Sequence, residues 1–207
     1  MRQISRVTAV AAAAFAAVVG FGTTQASAAT TWTVSGGGTF TASASSPKLT
    51  DTSTGATLTC TSSAAGGTAA NGTGLSGTDI ATISSLSWTS CTGPLGIAFT
   101  VTPTGLPWDL NATSYNASTG TTTGTLTGVE ASISGTLCSA KFAGTTATTP
   151  ATLTGTYVNS THTLTISGGN LHAYSVSGCL GLINNNNAAT YSAAYVVSPS
   201  TLKITSP

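Results

Sequence analysis

Apolar and polar residues alternate with a period of two along most of this chain, the signature of half-buried β-strands. Thr31-Trp32-Thr33-Val34 and Thr39-Phe40-Thr41-Ala42 are two short runs of this kind, split by Gly36-Gly37-Gly38. The same pattern predicts strands at 48–50, 56–60, 80–88, 97–102, 108–112, 125–137, 140–142, 153–158, 162–166, 171–176, 190–197 and 202–205. Helical periodicity is nearly absent beyond the N-terminal apolar stretch. Turn chemistry punctuates the runs. Asp51-Thr52-Ser53-Thr54-Gly55 and Asn116-Ala117-Ser118-Thr119-Gly120 each pair a side chain able to bond nearby amides with a glycine free to take positive φ. Asn159-Ser160-Thr161-His162 is a shorter version, and Asn71-Gly72 is a further turn signal. Pro103 and Pro107 belong at strand ends, because proline cannot donate to a ladder.

Two stretches match. Ser87-Trp88-Thr89-Ser90-Cys91 leads into Leu95-Gly96-Ile97 and then Phe99-Thr100-Val101-Thr102-Pro103. Ser175-Val176-Ser177-Gly178-Cys179 leads into Leu180-Gly181-Leu182 and later Tyr195-Val196-Val197-Ser198-Pro199. Each reads as a strand, a cysteine-pinned turn and a second strand. The expected fold is all-β, an antiparallel sandwich or barrel of about a dozen strands in two pseudo-repeated halves. The expected organisation is a single domain over 29–207, with halves at 29–117 and 118–207. The run Asn184-Asn185-Asn186-Asn187 is expected as an exposed loop.

Composition adds a compartment. Arg2 and Arg6 precede an apolar run from Val7 to Gly22, and Ala26-Ser27-Ala28 fits a small-residue cleavage site. These mark 1–28 as a signal peptide and place the mature protein outside the cell. No later stretch has the length and apolarity of a transmembrane helix. In an exported chain four cysteines imply two disulfides, and Cys60–Cys91 with Cys138–Cys179 is the favoured pairing because each pair brackets one matching stretch. No Cys-x-x-Cys exists, so no metal site is expected.

Only 4% of the chain is charged, so solubility must come from hydroxyls. Beyond the leader the basic residues are Lys48, Lys141 and Lys203, and no arginine remains. That is no footprint for nucleic acid or for an anionic membrane. The carboxylates are Asp51, Asp79, Asp109 and Glu130, and nothing marks two of them as a catalytic pair. His162 and His172 have no Gly-x-Ser-x-Gly elbow to serve, and Gly36-Gly37-Gly38 lacks the lysine of a phosphate loop. Gly93-Pro94-Leu95-Gly96-Ile97-Ala98 would suit a protease only if it were free of a sheet. No catalytic residue and no cofactor is assigned.

The alanine-rich leader, the Cys91-Thr92-Gly93-Pro94-Leu95-Gly96-Ile97 run, Gly105-Leu106-Pro107-Trp108 and Gly178-Cys179-Leu180-Gly181-Leu182-Ile183-Asn184 resemble uncharacterised secreted proteins of actinobacteria. The resemblance implies export and carries over no catalytic residue. The resulting expectation is a non-catalytic extracellular protein with a structural or binding role at the cell surface. Its partner would be a cell-wall glycan or another surface protein. Two alternatives accompany it. One is a carbohydrate-binding module with exposed Trp108, Trp32 and Tyr115 as its platform. The other is a small envelope pore, whose hydroxyl-rich strands would line a membrane barrel.

Overall fold

The computed structural model describes residues 31–207, so the leader at 1–28 lies outside the described residues. Fifteen strands follow one another without an α-helix among the described residues. They are β1 (Trp32–Ser35), β2 (Gly38–Ser45), β3 (Lys48–Asp51), β4 (Thr57–Ala69), β5 (Gly72–Leu75), β6 (Ala81–Thr92), β7 (Ala98–Thr104) and β8 (Trp108–Asn116). Then come β9 (Thr121–Gly135), β10 (Cys138–Ala143), β11 (Ala151–Val158), β12 (Thr163–Gly169), β13 (Leu171–Gly178), β14 (Ala188–Ser198) and β15 (Lys203–Thr205).

Eight segments close a ring. In order they are β2/β3, β4, β6, β7/β8, β9, β10/β11, β12/β13 and β14, each antiparallel to the next. The last returns to the first: Tyr195 to Ser198 pairs with Ala44 to Thr41, and Ala189 to Ser192 pairs with Asp51 to Lys48. The expected alternative of sandwich or barrel therefore resolves as an up-and-down barrel, which leaves the ring no free edge.

Four of the eight segments are bent, and residue chemistry sets the bends. Ser46-Pro47 separates β2 from β3, and Gly105-Leu106-Pro107 separates β7 from β8. Gly169, at φ 130°, precedes Asn170 between β12 and β13. Gly144 to Pro150 loops out between β10 and β11. Proline withholds a ladder donor and glycine takes backbone angles that other residues avoid.

Alternation gives the barrel its two faces. Along β2, Phe40, Ala42 and Ala44 are buried while Thr39, Thr41 and Ser43 are exposed. Along β14, Ala193, Tyr195 and Val197 are buried while Ser192, Ala194 and Val196 are exposed. Carbon fills the inside, and the outside is largely threonine and serine.

One end is capped. A separate sheet of β15, β1 and β5 covers it, with Trp32 and Val34 buried beneath. Side chains from the rim fasten β15: Tyr157 Oη donates to Leu202 O at 2.9 Å, and Asn159 Nδ2 donates to Ile204 O at 2.8 Å. The Ile204 amide in turn donates to Asn159 Oδ1 at 2.9 Å. The opposite end carries only hairpin turns.

Most expected strands form, with longer limits. β4 continues to Ala69 where the pattern predicted an end near Cys60, and β5 was not foreseen at all. The Asp51 turn closes as expected, with Asp51 Oδ1 accepting the amides of Ser53 at 2.9 Å and Thr54 at 3.1 Å. The Asn116 turn repeats the device at Ser118 and Thr119. Gly93 to Ile97 form a turn rather than a strand, and the sheet resumes at Ala98 in β7, paired with β6 and β9, so the run is pinned at both ends and not extended.

Cys60 and Cys91 are direct cross-strand partners on β4 and β6, and Cys138 on β10 bonds Cys179 just beyond β13. The bridges span 31 and 41 residues of sequence. Replacing either pair by alanine should lower unfolding free energy by roughly 3–4 kcal/mol in the chain-entropy account, measured by guanidinium denaturation under non-reducing conditions.

Candidate functional site

Two features stand out once the barrel is built: its apolar axis and its uncapped end. Three apolar voids lie in file inside the barrel, each with a free volume of about 60 Å³. The central one is bounded by Ala42, Ala65, Ile83, Trp88, Trp108 and Tyr191, among others. It shares Phe40, Leu164 and Ile166 with the void toward the capped end. It shares Leu49, Leu58 and Phe142 with the void toward the hairpin end.

A chain of buried hydroxyls crosses the central layer. Trp88 Nε1 donates to Tyr191 Oη at 3.0 Å, and Ser63 Oγ donates to Ser87 O at 2.8 Å. Between them, Tyr191 Oη lies 2.7 Å from Tyr195 Oη, which lies 2.9 Å from Ser63 Oγ. The two ends fix the direction of the middle. Since Ser63 gives its proton to Ser87, it must accept from Tyr195, and Tyr195 must then accept from Tyr191. Every donor in the row is used, as burial demands. Trp88 also meets Tyr191 edge-on, with ring centroids 6.2 Å apart. Burial pushes the Tyr191 and Tyr195 hydroxyls well above the usual phenol range; for Tyr191 the neighbouring Tyr195 adds to the rise. Burial likewise raises Tyr157, to about 12.

At the uncapped end three leucines point into solvent. Leu95, Leu137 and Leu180 are 82%, 79% and 72% exposed. They sit in the β6–β7, β9–β10 and β13–β14 turns, three of the four connections at that end. All three are left-handed, with φ of 61°, 61° and 50°. Glycine or asparagine takes that conformation readily, and leucine does so at a cost of about 1 kcal/mol. Leu95 and Leu180 each lie within a 3₁₀ turn that ends on a positive-φ glycine, Gly96 or Gly181. Both matching stretches thus make the strand, turn and strand expected of them. The fourth connection, after Asp51, is polar and is tied to its neighbour: Thr54 Oγ1 donates to Leu182 O at 2.7 Å, and Asn187 Nδ2 to Asp51 Oδ2 at 2.8 Å. Asp51 is the only charged residue in these four connections, and it is buried. Asn184, Asn185 and Asn186 are exposed as expected, although Asn185 Oδ1 accepts the Val176 amide.

The tryptophan platform does not form. Trp32 and Trp108 are each only 2% exposed, and Tyr115 is half-buried. Its place between Pro107 and Asp109 left Trp108 equally suited to the surface or the core. The bend before β8 turns it inward, where Nε1 donates to Thr104 O at 3.0 Å. Trp32 lies under the cap, away from the central void that Trp108 borders. The three residues therefore make no common surface. Sequence reasoning passed over Tyr191 and Tyr195, although their spacing of four on a strand puts both on one face. It noticed the Leu-Gly steps as a repeat and missed their exposure.

The charged side chains are dispersed. Lys141 pairs with Glu130 at 3.1 Å, the single ion pair among the described residues. His172 Nδ1 faces Asn170 O at 3.0 Å, and His162 Nδ1 is buried without a partner. No group of three or more His, Cys, Asp and Glu side chains suited to a metal occurs among the described residues.

These features define a closed antiparallel eight-stranded β-barrel with a carbon interior, a hydroxyl exterior and two disulfides. The chain belongs to the family described as alkane oxidation protein activator PraA/PraB-like, which it matches over residues 1–201. No curated protein and no solved structure matches it.

The buried hydroxyls predict an alkaline transition. The unfolded chain ionises its tyrosines near pH 10, whereas the folded barrel holds Tyr157, Tyr191 and Tyr195 neutral to higher pH. Stability should be full below pH 10 and should fall as pH rises from 10 through 12, read as the melting temperature at each pH. Tyr195→Phe should cost about 1–3 kcal/mol, because it strands Ser63 and Tyr191 without their shared partner.

Proposed function

We propose that this protein is an exported, non-catalytic barrel that works at an apolar surface and assists alkane oxidation as an accessory. One observation carries the reading: three exposed leucines on left-handed turns at a single uncharged end. Solvent-facing leucine in that conformation is unfavourable twice over, in backbone and in hydration. Seating all three in an apolar phase is worth roughly 5 kcal/mol, at ~1.5–3 kcal/mol for each leucine fully removed from water. The rest of the exterior is hydroxylated and stays in water, so the barrel stands end-on. The family name supplies the context: alkanes dissolve poorly, and an accessory that meets the hydrocarbon phase brings enzyme and substrate together.

This reading keeps the surface role expected from the sequence and moves the contact from tryptophan to leucine. Buried Trp32 and Trp108 leave the glycan module without its platform. An envelope pore needs an apolar outer band around a polar lumen, and the faces here are the reverse.

Pendant-drop tensiometry against hexadecane tests the proposal. Wild-type protein should lower interfacial tension at micromolar concentration. The triple variant L95N/L137N/L180N should lose most of that effect and should melt at the same temperature or higher, because asparagine suits the left-handed turns. Equal adsorption by the two proteins would overturn the reading.

A further inference from the structure

We infer that the barrel axis is an internal binding site for one unbranched alkyl chain, admitted methyl end first from the leucine-bearing end. Two of the exposed leucines, Leu137 and Leu180, stand at its mouth, and the site goes beyond the surface role. The three voids are in file, and each shares lining residues with its neighbour. Phe40, Leu164 and Ile166 form one partition, and Leu49, Leu58 and Phe142 the other. Rotamer changes can join such voids, and the joined space is long and narrow. A linear chain fits that shape, and a ring or branched skeleton does not.

The walls select against polarity. They are carbon nearly throughout. The polar groups in the central layer are spent on one another, since the row from Trp88 through Tyr191, Tyr195 and Ser63 to Ser87 uses every proton it owns. In the void at the capped end, Tyr157 and Thr122 are committed to the Leu202 and Ile204 carbonyls. In the void at the hairpin end, Asp51 is committed to two amides and Asn187. No cation borders any of the three voids. Water needs two to four polar partners to stay in a cavity, so apolar voids remain dry and gain contacts when hydrocarbon enters.

Direction follows from the ends. β1, β5 and β15 cover one end, with Leu202 and Ile204 bordering the void beneath them. Leu137 and Leu180 border the void at the other end, so the exposed leucines lead directly into the file. The leading end of any occupant must therefore be a bare methyl. A single polar group is tolerated only on the trailing end, where solvent reaches it.

The small size of the voids calls for a short chain, and titration with n-hexane delivered from methyl-β-cyclodextrin tests the inference. Binding is read by calorimetry and by the emission of Trp88 and Trp108, both of which border the central void. Wild-type protein should bind one chain saturably. The diol 1,6-hexanediol, which must bury one hydroxyl against carbon, should bind at least about tenfold more weakly. Ala65→Leu and Ala42→Leu each fill the central void and should weaken hexane by a similar factor while circular dichroism stays unchanged. Leu95→Asn, at the one exposed leucine that borders none of the three voids, should still bind cyclodextrin-delivered hexane while adsorbing less at an interface, which separates the two sites. The absence of saturable binding by wild-type protein, or equal affinity for the diol, would overturn the inference whatever the variants do.

Discussion

The pairing of β14 with β2 and β3 is the constraint on which the rest hangs. Without it the eight segments are an open sheet with two long edges, and such edges recruit other chains. With it, every inward residue has one enclosed space to fill. The closing register puts Tyr195 opposite Ala44 and Val197 opposite Ala42, all buried. A slip of one residue would turn Ser192, Ala194 and Val196 inward and expose Tyr195. The Tyr195–Ser63 bond spans 132 residues of sequence and joins β14 to β4 over Ala44 of the intervening β2. It works against such a slip, because only one register lets both hydroxyls find partners. The buried hydroxyl row thus gives the fold specificity at little cost in satisfied hydrogen bonds.

Much of this was legible in the residues, for identifiable reasons. Threonine and serine alternate with larger apolar side chains through β2, β9 and β14, so period two was plain there. The Asp51 and Asn116 turns could be read because their side chains do a local job that does not depend on the fold. Cysteine pairing could be read because each pair brackets one half. The second part of β4 was not legible. Ser62-Ser63-Ala64-Ala65-Gly66-Gly67 offers no contrast between faces, and its strand state comes from partners on both sides. The direction of Trp108 was not legible, because a neighbouring aspartate says little about direction just after a bend. The exposure of the leucines was hidden for a related reason: residue type normally argues against left-handed leucine, so only the backbone reveals it.

The two halves divide the labour unevenly. Each supplies four consecutive segments, and each places its disulfide between the second and third and a leucine turn between the third and fourth. The turn between first and second segments differs. In one half it carries Leu137, and in the other it carries the polar loop after Asp51. That loop is braced against the β13–β14 connection by Thr54 and Asn187. The hairpin end therefore presents an exposed leucine on three connections, with asparagines beside Leu180 on one of them, and a braced polar turn at the fourth.

Charge depletion connects these levels. A barrel whose interior holds no free ion does not need ions outside to fold, and threonine on an exposed pleated surface is both soluble and favourable for strands. Charges near the hairpin end would keep it hydrated and would oppose contact with an apolar phase. The one acid there, Asp51, is buried and saturated with donors, so it acts as a turn-forming group with little field at the surface. The same scarcity of ions that first suggested a bland composition is what lets hydroxylated walls and leucine tips coexist on one small barrel. Hydroxyls cover the sides, and the exposed leucines gather at the end.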